Sequence, residues 1–172
     1  MNKSLSRLAL GAALAAGALA ALPAHAGKTL DAIKARGQLN CGVNPSLPGF
    51  SAADSQGNWA GLDVDVCKAT AATVLNAASK IKWTPPHASQ RFAGLQSGEI
   101  DILSRNTTWT LTRDASLGLN FTGVTYYDGQ GFMVPKGKTD PKTKKSTPTI
   151  TSAKQLKGAT VCVQSGTTTE KN

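Results

Sequence analysis

Asp101-Ile-Leu-Ser-Arg-Asn-Thr-Thr-Trp-Thr-Leu-Thr-Arg-Asp114 carries an apolar run out into hydroxyls and amides, then into a short helical start that holds Arg113. That order suits the capture of a small anion. Backbone N–H groups at a helix start lack intrahelical partners and lie at the positive end of the dipole. Asn106, Thr107 and Thr108 stand beside them, and the Arg113 guanidinium can offer a carboxylate two parallel N–H···O bonds. Taken alone, the segment also reads as a strand end, a Ser/Thr-rich turn and a surface arginine.

Working outward, the preceding chain alternates. Leu30 to Arg36 has a helical face with Gly37 as its stop, and Leu39 to Val43 reads as the first strand. A Pro/Gly-stiffened loop, Asn44 to Phe50, and a hairpin turn around Asp54-Ser-Gln-Gly57 follow. A helix then opens at Gly61-Leu-Asp-Val-Asp-Val66, Ile81 to Thr84 is a strand, and Ser89 is a candidate cap for a helix over Gln90 to Gln96 that Gly98 ends. Strand, helix, strand, helix, strand argues for a doubly wound α/β sheet, with ligands beyond the strands' carboxyl ends. Asp63 and Asp65 are two residues apart and cannot share a helical face, so interaction with the helix dipole explains them better than a metal does.

A second apolar strand feeding a polar turn, Val161-Cys-Val-Gln-Ser-Gly-Thr-Thr-Thr-Glu170, stands near the end of the chain. With Gly61 to Val66, the Asn44 loop, Arg105-Asn-Thr-Thr-Trp109, Gly118-Leu-Asn-Phe121 and Tyr126-Tyr-Asp-Gly-Gln-Gly-Phe-Met133, it resembles the bacterial extracellular solute-binding proteins of the polar amino-acid uptake family, nearest the general L-amino-acid branch. The resemblance implies a type II periplasmic binding-protein fold. It implies an amino-acid grip made by Arg113 with Arg105, Asn106 and Thr108 on the first lobe, and by Gln164, Thr168 and Thr169 on the second. Asn44 and Leu47 would contact the ligand's side chain, with Phe50 a weaker candidate; the family often has an acidic residue and an aromatic there, so a simple basic-amino-acid preference is not expected.

Residues 1–26 have the make-up of a cleavable export signal: Lys3 and Arg7, an Ala-rich apolar run, then Ala24-His25-Ala26. Its removal lowers the formal charge from +9 to +7, since it carries two basic residues and no acidic one. Five lysines between Lys136 and Lys145 lie in a Pro/Thr/Gly-rich stretch without interleaved aromatics, which reads as a solvated loop and not as a nucleic-acid surface. Cys41, Cys67 and Cys162 lack zinc-site spacing, so neither metal nor cofactor is expected. Cys41 and Cys67 are the pair to bridge in an oxidising compartment, free core cysteine being the alternative.

The expected organisation is a signal at 1–26, lobe one over 27–134 without its return strand, a Lys/Pro/Thr-rich hinge-side loop at 135–150, and the start of a truncated lobe two at 151–172. Phe132 and Val134 suggest a strand in the crossover, and Thr160 to Gln164 another opening the second lobe. The resemblance implies a monomeric periplasmic receptor that presents a free L-amino acid to an inner-membrane ABC permease. Lacking half of the grip, the chain is expected to bind weakly or not at all. The rival readings are a vestigial non-binding product and a cyclohexadienyl dehydratase-like enzyme on the same scaffold.

Overall fold

In a computed structural model of the protein, which describes residues 27–172, helix α1 (Lys28–Arg36) stops where Gly37 turns left-handed at φ 68° and donates to the Ile33 and Lys34 carbonyls. The export signal read at 1–26 lies outside the described residues. Strand β1 (Leu39–Gly42) follows at once and is buried along its whole length. Two short strands, β2 (Ser46–Leu47) and β3 (Ser51–Ala53), lie antiparallel, and β4 (Trp59–Ala60) completes this small sheet. The Asp54 carboxylate closes the turn between β3 and β4 by accepting from the Gln56 and Asn58 amides. β2 was hidden in the Asn44 loop because a two-residue ladder has no readable period.

Helix α2 (Leu62–Leu75) begins at Gly61, whose φ of 126° and contact with the Phe50 carbonyl leave no room for a Cβ. Its first amides are satisfied by loop carbonyls, Leu62 N–H on Gly49 and Asp63 N–H on Phe50. β5 (Ile81–Thr84) and β6 (Ile102–Leu103) then flank β1 in a parallel sheet of order β5-β1-β6, as the alternation predicted. Leu39, Cys41 and Val43 point to one face, where Ile33, Cys67 and Ala71 meet them. On the other face Ile100 packs against Gly42 and against Gly94 of helix α3 (Arg91–Gln96); a Cβ would come within 2.7 Å of the Leu103 side chain at Gly42 and within 2.8 Å of Ile100 at Gly94. Helices therefore cover both sides of the sheet. At its rim, Arg36 pairs with the Asp101 carboxylate, which also accepts from the Asn40 amide at 2.7 Å.

Four local expectations fail. The α3 cap is Gln90 without a side-chain bond, not Ser89. Neither the Tyr126 to Pro135 segment nor Thr160 to Gln164 is a strand, because no neighbouring strand among the described residues supplies a ladder for them. The lysine-rich stretch contains a short antiparallel pair, β7 (Lys138–Thr139) with β8 (Ser146–Thr147), although it is exposed as expected. Ser152 caps a 3₁₀ turn (Ala153–Leu156) with Gln155 in a capping box, and Thr167 caps helix α4 (Thr168–Lys171). No helix of the described residues is long and apolar enough to cross a membrane.

Cys41 and Cys67 are joined, with Cα atoms 6.2 Å apart, and Cys162 is free and exposed. The bridge ties the central strand to α2 inside the core. Reduction, or Cys67→Ala, is expected to cost roughly 3 kcal/mol for a loop of this size, read as a lowered urea midpoint of the reduced or substituted chain against the oxidised one.

Candidate functional site

The site grows from the carboxyl ends of the three parallel strands. Asn44 follows β1, Pro86 follows β5, and Arg105 and Asn106 follow β6; a bond from the Ser104 amide to the Gly42 carbonyl, 2.9 Å, starts the last of these turns. Asn106 gathers them. Its side-chain oxygen accepts from Asn44 Nδ2 at 2.9 Å and from Arg105 Nε at 3.2 Å, and its carbonyl accepts from Arg91 Nη1 at 3.3 Å. Arg105 also donates to the Pro86 carbonyl at 2.8 Å, so all three strand ends are linked. Asn44 is fixed from behind by Ser51, whose hydroxyl accepts from its amide and donates to its carbonyl, each at 3.0 Å.

Arg113 rises from a single wide helical turn (Thr112–Ser116), not from a regular helix. Its amide is taken by the Thr110 hydroxyl at 3.3 Å, so the expected free N–H group at that position is not there. The guanidinium donates to the Thr108 carbonyl at 2.8 Å and is 7% exposed. Phe92 lies between two cations, its ring centroid 5.0 Å from the Arg113 Cζ and 4.9 Å from the Arg91 Cζ. From the far stretch, Thr168 meets Thr108 hydroxyl to hydroxyl at 3.2 Å, and Thr169 accepts from Gln130 at 3.2 Å. Gln164 is exposed and takes part through its carbonyl, which accepts from the Thr167 hydroxyl. Leu47, half-buried, pairs with Ser51 across β2 and β3, and reaches Asn106 only through Ser51 and Asn44.

The structure thus assembles Asn44, Arg105, Asn106, Thr108, Arg113 and Thr168, and leaves Leu47, Gln164 and Thr169 at the margin. One residue, Arg91, escaped sequence reading, and another, Asp63, was read only in part. Arg91 opens α3 and is 1% exposed, although a cation in the first turn opposes the helix dipole, the one signal that could have marked it. Asp63 is 2% exposed and has a buried carboxylate oxygen without a hydrogen bond, so the dipole account suits Asp65, which is exposed, but not Asp63. No cluster of three or more metal-ligating side chains occurs among the described residues.

Electrostatically the site is short of negative charge. The ion pairs among the described residues are Arg36–Asp101 and Lys68–Asp65, and neither touches it. Burial pushes Arg91 down to about 10, helped by the positive charges of Arg105 and Arg113. Burial also lowers Arg105, against the pull of the Asp63 carboxylate, and lowers Arg113. Desolvation raises Asp63 while Arg105 opposes the rise. Buried cations lacking counter-charge are costly, and such a cost persists where an incoming anion can offset it.

A doubly wound sheet whose strand ends converge on buried, under-compensated guanidiniums defines the type II periplasmic binding-protein class of α/β receptor. The chain belongs to the bacterial extracellular solute-binding proteins, family 3, which it matches over residues 39–169. It is 55% identical over 171 residues to the general L-amino acid-binding periplasmic protein AapJ of Rhizobium johnstonii, covering 99% of this chain and 46% of that protein. It is 54% identical over 157 residues to the glutamate/glutamine/aspartate/asparagine-binding protein BztA of Rhodobacter capsulatus, covering 90% of this chain and 44% of that one. A solved ABC transporter periplasmic binding protein from Brucella ovis with glutathione bound superposes with a TM-score of 0.73 at 52% identity, covering 83% of this chain and 42% of its own. The chain therefore spans less than half the length of these relatives.

Asp63 gives the site a pH signature. Its folded pKa lies above the ordinary 3.8, so the folded state holds the proton more tightly and stability falls as pH rises through the interval above that value. Asp63→Asn should remove this fall, seen as a gap in urea midpoint between the two chains that widens with rising pH. A gap constant with pH would show that Asp63 is ionised as readily in the fold as outside it.

Proposed function

We propose that this chain carries the amino-acid grip of a periplasmic substrate-binding component of an ABC transporter, with Arg113 taking the ligand's α-carboxylate. One observation carries the reading. Arg113 is a buried guanidinium at the carboxyl edge of the sheet, bonded to the Thr108 carbonyl, and among the described residues no carboxylate pairs with it. A ligand carboxylate would supply the missing charge through two parallel bonds, and in this reading Asn106 and the Thr108 hydroxyl add neutral ones. The relatives' names support a free amino acid as the ligand class and a binding protein, not an enzyme, as the role.

Within that reading, residues 1–26 direct export to the periplasm. Residues 27–134 form the first lobe, 135–150 the hinge-side loop, and 151–172 the beginning of the second lobe, whose Gln164, Thr168 and Thr169 face the ligand from the opposite wall. Asn44 and Leu47 bound the ligand's side chain, and Arg105 holds Asn106 in place. The receptor acts as a monomer and delivers its ligand to a membrane permease, which reads closure of the two walls.

Calorimetric titration of the chain with L-glutamate, L-glutamine, L-aspartate, L-arginine and L-histidine, up to millimolar ligand, tests this. Saturable heat that disappears when L-glutamine is replaced by its carboxamide L-glutaminamide is the expected result. Arg113→Lys, which keeps the charge but loses the planar fork, should weaken binding at least about 10-fold. Equal affinity for the carboxamide, or an Arg113→Lys chain that binds as before, would remove the carboxylate grip.

A further inference from the structure

Arg91 stands where a helix packed on a sheet ordinarily buries an apolar side chain. The charges acting on it are positive, and among the described residues its Nε has no hydrogen-bond partner. What holds it is a pair of carbonyls from two distant segments: Nη1 donates to Asn106 at 3.3 Å and Nη2 to Gly166 at 3.2 Å. The first belongs to the residue that gathers the strand ends. The second belongs to the turn that leads to Thr168.

That turn lies directly on the start of α3. Gly166 has φ 78°, and a Cβ there would come within 2.9 Å of the Ser89 Cα. The turn is braced internally by Glu170, whose carboxylate accepts from the Gly166 amide at 2.8 Å and from the Ser165 hydroxyl at 3.0 Å. A guanidinium can serve two diverging carbonyls at once because its donors form a rigid planar fork, whereas an ammonium is a point charge on a flexible stem.

We propose that Arg91 is a positioning residue that ties the two walls of the site together, spanning the Asn106 and Gly166 carbonyls so that the Gly166 turn stays docked over the Arg113 grip. Arg91 itself touches no ligand. The site that the tie serves is the amino-acid grip of the preceding reading, but the tie is a contact of the free chain and can be measured there.

Hydrogen exchange of the ligand-free 172-residue chain, followed on peptides covering 164–172, reads docking of the turn. Arg91→Lys should accelerate exchange there about 10-fold, the loss expected of one charge-assisted bond, while peptides from β1 and α2 stay as they were. Gly166→Ala should undock the turn by collision with Ser89, and in that background Arg91→Lys should add nothing further. Unchanged exchange in folded Arg91→Lys, or an undiminished effect of it on top of Gly166→Ala, overturns the tie. Should Arg91→Lys fail to fold, unchanged exchange in Gly166→Ala overturns it. A chain that binds no amino acid but shows these exchange differences overturns the amino-acid reading and leaves the tie standing.

Discussion

Burial of three guanidiniums around one asparagine is the constraint on which the rest of this structure depends. Arg91, Arg105 and Arg113 are each almost wholly removed from water, and among the described residues the Asp63 carboxylate is the one negative charge that acts on any of them. Such a cluster holds only if each member finds acceptors. Backbone carbonyls of Pro86, Asn106, Thr108 and Gly166 supply them, and the Asn106 side chain adds one more, although Arg91 Nε stays unpartnered among the described residues. Carbonyls satisfy hydrogen bonds without cancelling charge. The arrangement is therefore kept in shape while it remains electrically unfinished, which is the state a receptor for an anionic group requires.

The scaffold beneath explains how so much cost is carried. The central strand is fully buried and covalently joined to α2, and glycines at 42 and 94 let Ile100 lock the opposite face. Parallel strands bring their carboxyl ends to one edge, so side chains from loops far apart in sequence meet there as a matter of geometry. Helix α2, by contrast, spends its first amides on the carbonyls of Gly49 and Phe50, and its N-terminus contributes rigidity instead of a ligand site. The electrostatic character of the edge comes from side chains more than from helix dipoles.

Parts of this were legible before any coordinates. Strand-helix alternation gave the doubly wound sheet, Gly37 and Gly98 marked helix stops, and the run from Ser104 to Arg113 read as a strand end passing into a polar turn. Segments that need a distant partner were misread. The Phe132 and Val134 alternation and the Thr160 to Gln164 run have strand-like composition, yet a strand exists only when another lies beside it. Arg91 was missed because an arginine in a short helix ordinarily lies on the surface, and Asp63 because a lone carboxylate at a helix start already has a satisfactory local explanation.

By itself, then, the sequence determined what is local: the periods of helices and strands, the glycine stops, the residue types that can hold a carboxylate and the motifs of the family. Only the tertiary structure decided which of those residues are buried, which share a partner, and that Asn106 joins the ends of three strands to the Gly166 turn through Arg91. The reason is physical. Backbone propensity and side-chain chemistry act over a few residues, whereas burial and the sharing of one hydrogen-bond acceptor are set by elements that meet in space after long stretches of intervening chain.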